Sequence, residues 1–120
     1  IIGNSDSPVD GAGAGIRLSA STPVMLNCEV SYNYCPRTGS IGGGGIYFDG
    51  TSGGWWTNCV ISGNKALGDV GGGMDIQCGD GAGPVFVNCT ICNNESAKNG
   101  GGAHLDLMTA NYIAECWRKR

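Results

Sequence analysis

The stretch Gly71-Gly72-Gly73-Met74-Asp75-Ile76, followed by Phe86-Val87-Asn88-Cys89-Thr90-Ile91, decides the fold of this chain. Versions of the first phrase begin at Gly13, Gly43, Gly71 and Gly100, so the steps between them are 30, 28 and 29 residues. Versions of the second phrase are centred on Asn27, Asn58 and Asn88. A fixed period near 30 residues is typical of a repeat architecture.

Apolar and polar residues alternate after the glycines of each repeat, which is the pattern of a β-strand with one face in a core. Two inward columns follow: Ile16, Ile46, Met74 and Ala103, and then Leu18, Phe48, Ile76 and Leu105. A second strand carries Met25, Trp56 and Phe86. No helical period separates the strands, which argues against alternating strands and helices. We therefore predict an all-β, right-handed parallel β-helix (a solenoid) of about four coils, in which like residues stack about 4.8 Å apart.

Asparagine recurs at two positions of the repeat. Because Asn tolerates left-handed backbone, the first set, Asn27, Asn58 and Asn88, predicts a sharp bend. The second set, Asn33, Asn64 and Asn94, predicts another corner, where stacked amides form an asparagine ladder. Asn88 and Asn94 also begin Asn-x-Thr and Asn-x-Ser sequons. If both lie in ladders of stacked amides they are inaccessible, and we expect no glycan on either.

The repeats predict one domain over 1–120, with coils at about 13–42, 43–70, 71–99 and 100–106 and a tail at 107–120. Apolar residues of the tail recur at helical spacing, and Asp106 suits a helix start, which together predict a capping helix. The alternative is a tail that continues the coil, with Asn111 in the ladder. Because the chain begins at Ile1 and shows no signal peptide, we expect a piece of a larger protein.

The charge balance narrows the class of partner. The 120 residues include seven basic and ten acidic side chains, for a net charge of -3. The last three residues are basic, so the body of the chain is more acidic still. Nucleic acid and anionic membranes both need a basic face, so neither is an expected partner. No run of 18 apolar residues is present, so we expect no membrane span.

Seven cysteines leave the thiol chemistry open. Cys28, Cys59 and Cys89 occupy the same place in successive repeats, which favours buried thiols that act as small hydrophobes. The alternative is a disulfide framework. Its members would be Cys35, Cys78, Cys92 and Cys116.

The glycine phrase and the apolar-x-x-Asn phrase together resemble repeats of right-handed β-helix proteins in the pectin-lyase-like superfamily. The polymorphic outer membrane protein type pairs GGA(I/L/V) with FxxN. Here Gly101-Gly102-Ala103 matches the first motif, and Ile61-Ser62-Gly63-Asn64 is similar to the second with an aliphatic residue in place of Phe. The resemblance covers about 13–105. It implies an extracellular adhesin, a passenger domain or a carbohydrate-active enzyme.

Residues between the inward columns of the first strand are expected to point to solvent. They are Arg17, Tyr47, Asp75 and His104, and then Ser19, Asp49, Gln77 and Asp106. β-Helix lyases and hydrolases carry their catalytic groups on a comparable face, so the resemblance implies Asp75, His104, Asp49 and Asp106 as catalytic candidates. Asp49 and Asp106 would lie near 10 Å apart, at the edge of the spacing for inverting glycoside hydrolysis, and Asp75 to either partner suits a retaining pair or a lyase base. The alternative is a binding face or plain solvated surface.

The binding candidates are Arg17, Tyr47, Gln77 and Trp55. If Trp56 lies in the core, Trp55 points out and can stack on a sugar ring or pack on a loop. The single Cys89-x-x-Cys92 pair lacks the ligands that zinc needs. No cofactor is expected, although Asp69, Asp75 and Asp80 near glycines leave calcium open.

The sequence thus predicts an extracellular or cell-surface structural and adhesive module that binds polysaccharide or a protein partner. The first alternative is a polysaccharide lyase or glycoside hydrolase. The second is an architectural scaffold that forms homo-oligomers through its end coils.

Overall fold

The structure is a computed structural model that describes residues 1–5, 13–36, 42–68, 71–79, 83–105, 112–113 and 116–117. Its strands run in chain order: β1 (Ile16–Ser19), β2 (Val24–Leu26), β3 (Glu29–Ser31), β4 (Tyr34–Cys35), β5 (Ile46–Gly50), β6 (Gly54–Thr57), β7 (Val60–Ser62), β8 (Lys65–Ala66), β9 (Met74–Cys78), β10 (Pro84–Val87), β11 (Cys89–Cys92), β12 (Glu95–Ser96), β13 (Ala103–Leu105), β14 (Tyr112–Ile113) and β15 (Cys116–Trp117).

The strands form four parallel sheets, and the chain visits them in turn. The first sheet has the order β1-β5-β9-β13 and the second β14-β10-β6-β2. The third has the order β15-β11-β7-β3 and the fourth β12-β8-β4. Because every fourth strand pairs in parallel with its equivalent one repeat earlier, the chain forms a parallel β-helix, as the repeat predicts.

The core lies inside the coils and is built from the predicted columns. Ile46 pairs in register with Ile16 and Met74, and Phe48 pairs with Ile76. The rings of Phe48 and Trp56 meet edge to face with centroids 5.6 Å apart, an arrangement that aromatic pairs prefer. Leu105, in the last described coil, is half exposed, whereas its column partners Phe48 and Ile76 are fully buried.

Both asparagine positions have the predicted structures. Asn27, Asn58 and Asn88 have φ values of 53°, 53° and 52°, so each asparagine has the left-handed backbone conformation that the sequence predicts at the bend. Asn64 Oδ1 accepts hydrogen bonds from Asn33 N and Asn33 Nδ2 at 2.9 and 3.0 Å. Asn94 Oδ1 accepts the same pair of bonds from Asn64. The asparagine ladder is confirmed, and it satisfies amides that would otherwise be buried without partners.

The prediction of a capping helix is wrong for the described residues of the tail, 112–113 and 116–117. Tyr112 and Ile113 form β14 beside Val85 and Phe86 of the second sheet, and Cys116 and Trp117 form β15 beside the third. Parallel pairing satisfies the backbone groups that the edges of β10 and β11 would otherwise leave open. Asp106, the proposed helix start, and Asn111 lie outside the described residues. Within the described ranges there is no helix long and apolar enough to cross a membrane.

Candidate functional site

The outer side of the first sheet brings most of the sequence candidates together. Tyr47 pairs in register with Arg17 on one side and with Asp75 on the other, and Asp75 pairs with His104. In the next column Asp49 pairs with Ser19 and with Gln77. Asp106, the remaining catalytic candidate of this column, lies outside the described residues.

The expectation that this whole face points to solvent is wrong for two residues. Tyr47 is 5% exposed and Asp75 is 0% exposed. The glycine phrases cover them, because a Cβ on Gly71 would lie 2.8 Å from the Asp75 Cβ. Only a residue without a side chain fits so close to the outer column, so the repeated glycine both starts the strand and buries its outer face.

The buried carboxylate of Asp75 is held by three hydrogen bonds. Its Oδ1 lies 2.9 Å from His104 Nδ1. Its Oδ2 accepts a bond from the backbone N–H of Gly42 at 3.0 Å and another from Gln77 Nε2 at 3.0 Å. Gln77 Oε1 in turn accepts a 3.5 Å bond from the Tyr47 hydroxyl. Burial removes water from this carboxylate, and the three hydrogen bonds replace the water. A buried acidic group is tolerated when its oxygens are hydrogen-bonded in this way.

The geometry argues against a glycosidase site that uses Asp75 and Asp49 as its two carboxylates. Asp75 is closed to solvent and already accepts from three donors, so it cannot touch a sugar. Asp49 lies 3.2 Å from Arg17 in an ion pair. The Arg17 guanidinium also lies over the Tyr47 ring, 5.7 Å from its centroid. Among the described residues of this face, Arg17 and Ser19 are exposed, and the side chains of Asp49 and His104 are 21% and 24% exposed.

Thiols and metal ligands do not add a second site in the described part of the chain. Among the described residues, the side chains of Cys28, Cys59, Cys78, Cys89 and Cys92 are free thiols. Burial raises the pKa of the Cys59 thiol, and burial together with the charges of Asp49 and Asp75 raises the pKa of Cys78. No three His, Cys, Asp or Glu side chains of the described ranges are grouped to hold a metal ion. Asp69 and Asp80, named above for calcium, lie outside those ranges.

The outer side of the second sheet carries a different surface, which the sequence analysis found only in part. Trp56 is fully buried and Trp55 is 57% exposed, as strand alternation predicts. Trp55 pairs in register with Val24 and Val85. The neighbouring column consists of Leu26, Thr57 and Val87. Val24 is 68% and Leu26 57% exposed. We call these six residues the apolar strip.

A signal for the apolar strip is present in the sequence. Val24-Met25-Leu26 and Pro84-Val85-Phe86-Val87 are continuous apolar runs, not alternating ones. Continuous runs are typical of strands that are covered on both faces. Read in this way, they predict that something covers the outer face of the second sheet as well as its inner face.

An exposed column of amides borders the apolar strip. Asn27, Asn58 and Asn88 directly follow the strands of the second sheet, and all three are exposed. Asn88 Nδ2 donates to Asn58 Oδ1, so these amides stack along the coils. The expectation that Asn88 is inaccessible is therefore wrong, because the bend turns its side chain outward. Asn94 does lie in the ladder, where its side chain bonds Asn64 and the Ile61 carbonyl.

The comparison with known families agrees with this architecture. A family described as the right-handed β-helix region matches residues 1–117. No curated protein matches the chain significantly, and neither does any solved structure. With a match over nearly the whole chain and coils of stacked parallel strands, the chain belongs to the right-handed β-helix family.

Proposed function

We propose that this chain is an extracellular structural and adhesive module that binds a neutral polysaccharide on the outer face of its second sheet. One observation carries the proposal: an exposed apolar strip centred on Trp55 lies beside an exposed column of asparagine amides. Exposed apolar patches on soluble proteins commonly mark interaction sites.

The chemistry of this face suits a sugar chain. An indole ring offers a flat apolar surface for the C–H face of a pyranose, and amides donate to and accept from hydroxyl groups. The strip runs across three coils, which at about 4.8 Å per coil spans roughly 10 Å, or about two sugar rings. The strip contains no charged residue, and the chain has a net charge of -3, so a neutral polysaccharide fits better than an acidic one.

The experiment titrates the pure chain with soluble glucan, xylan and mannan in a calorimeter, beside an acidic polysaccharide. Trp55→Ala should weaken binding about threefold to tenfold, because an aromatic contact contributes about 0.5–1.5 kcal/mol beyond its area. Tyr32→Ala is the matched control, since Tyr32 is also an exposed aromatic but lies outside the strip.

Three results would overturn the proposal. They are no binding to any neutral polysaccharide, binding that Trp55→Ala leaves unchanged, and preference for the acidic polymer. Sedimentation equilibrium of the same samples identifies a second copy as the occupant, because a dimer that Trp55→Ala dissociates would assign the strip to self-association. That outcome would favour a scaffold that associates through this face and not, as the sequence alternative has it, through its end coils.

A further inference from the structure

The contact between Asp75 and His104 is not used by binding at the second sheet. His104 Nδ1 lies 2.9 Å from Asp75 Oδ1, and the side chains are 24% and 0% exposed. An ionised carboxylate only accepts hydrogen bonds, so Nδ1 carries the hydrogen that the two groups share. In the neutral imidazole, the other ring nitrogen, Nε2, then has a lone pair.

The carboxylate is itself fixed in place, which makes the arrangement more than a single cross-coil bond. Gly42 N and Gln77 Nε2 both hold Oδ2, and Tyr47 holds the Gln77 amide. Each bond restricts the plane of the carboxylate, and through Oδ1 it restricts the plane of the imidazole. A base whose orientation is fixed by a third group is a recurring signature of catalytic bases.

We propose that His104 is a general base that activates water for hydrolysis of an ester carried by a saccharide, with Asp75 and Gln77 as positioning residues. Nε2 takes a proton from water, and the water oxygen bonds to the acyl carbon. The bond between the acyl carbon and the sugar oxygen then breaks, and the sugar oxygen takes the proton from Nε2. Ester and water become acid and alcohol, and the histidine ends as it began.

The described residues of this face fit ester hydrolysis better than glycoside hydrolysis. A glycosidase needs two carboxylates on opposite sides of the scissile bond. Here Asp75 is closed to solvent and Asp49 is paired with Arg17. A single histidine can serve an acyl transfer as base and then as acid from the same side, with a buried carboxylate that stabilises the imidazolium.

The first test reads the tautomer and needs neither a substrate nor a variant. His104 is the only histidine of the chain, so a long-range 1H–15N spectrum of the uniformly labelled protein shows its two ring nitrogens without overlap. The expected result is the Nδ1–H tautomer, with Nε2 at the shift of an unprotonated nitrogen. A spectrum of the Nε2–H tautomer would overturn the proposal.

The second test measures release of acetate from acetylated xylan and of 4-nitrophenol from its acetate ester. His104→Gln keeps a polar side chain of similar reach without a base and should lower kcat/KM by about 100-fold or more. Asp75→Asn should lower kcat by at least about tenfold, because the amide favours the wrong tautomer, and should leave KM nearly unchanged.

The wild-type measurement keeps this test decisive if Asp75→Asn fails to fold. Wild-type rates equal to those of His104→Gln on both esters would overturn the proposal. Binding at the second sheet is tested separately, since the calorimetric titration measures no ester turnover and 4-nitrophenyl acetate carries no sugar. Failure of one proposal is therefore distinguishable from failure of the other.

Discussion

Removal of the Asn64 side chain tests the ladder, the feature that joins the coils inside. The side chain is 1% exposed and takes part in four hydrogen bonds. Its Oδ1 accepts two bonds from Asn33, and its Nδ2 donates to the Val30 carbonyl and to Asn94 Oδ1. At about 1 kcal/mol net for each bond, Asn64→Ala should lower the free energy of unfolding by about 4 kcal/mol.

The assay is urea unfolding followed by tryptophan fluorescence, to which the buried Trp56 contributes. With a slope of about 2 kcal/mol per M, a loss of about 4 kcal/mol moves the midpoint down by about 2 M. Since domains of this size are stable by about 5–15 kcal/mol, the variant should be near the edge of folding. Asn64→Asp should be at least as damaging, because it keeps the acceptor oxygens but buries a charge and removes both donors.

Asn58→Gly is the matched control. Asn58 is also an asparagine of the repeat, but it is exposed, and glycine adopts its φ of 53° without strain. We expect its midpoint to stay within about 0.5 M of wild type, which at the same slope is about 1 kcal/mol. Equal midpoints for Asn64→Ala and Asn58→Gly would refute the conclusion that the ladder stabilises the coils.

Three further outcomes follow from the packing. Gly45→Ala should prevent folding, because its Cβ would lie 2.5 Å from a backbone carbonyl oxygen of the next coil. Gly79→Ala should be neutral, because the nearest atom to its Cβ would be 3.9 Å away. Thermal unfolding of the two variants compares them. Iodoacetamide at neutral pH should label Cys59 much more slowly in the native chain than in urea, since burial raises the pKa of its thiol and leaves less thiolate; equal rates by peptide mass spectrometry would contradict this. When the chain is secreted from a eukaryotic host, a glycan should be found on the exposed Asn88 and not on Asn94 of the ladder, and glycan on Asn94 in folded protein would show that the ladder opens.

The sequence predicts the interior of this protein far better than its outside. Inward columns repeat strictly, because each coil must present an apolar side chain of similar shape to the next, and so Phe48 and Trp56 are identified without coordinates. The bend asparagines are predicted for a comparable reason, since few other residues adopt left-handed backbone at little cost.

The outer faces are harder to predict because the glycine phrases lie over one of them. Alternation alone says that Asp75 is outside the coil, and it is, but it cannot say that a glycine turn then covers it. The same limit explains Asn88, which repetition identifies as structural although the bend exposes it. The helical spacing in the tail led to a wrong prediction of a helix for a different reason. The open edges of β10 and β11 are available for pairing, and a local sequence pattern contains no information about such distant partners.

The asparagine ladder also has a direction, and this has a consequence for how such proteins change length. The Nδ2 groups of Asn33 and Asn64 each donate one hydrogen bond to the asparagine one coil onward and another to a backbone carbonyl one coil earlier. Asn33 therefore depends on Asn64 for its side-chain acceptor, and Asn64 depends on Asn94. A tandem duplication of one repeat would supply an acceptor to the coil before it and receive one from the coil after it. Length can therefore be altered in whole coils by recombination within the gene, without new compensating substitutions. An insertion of half a repeat would break the ladder at once.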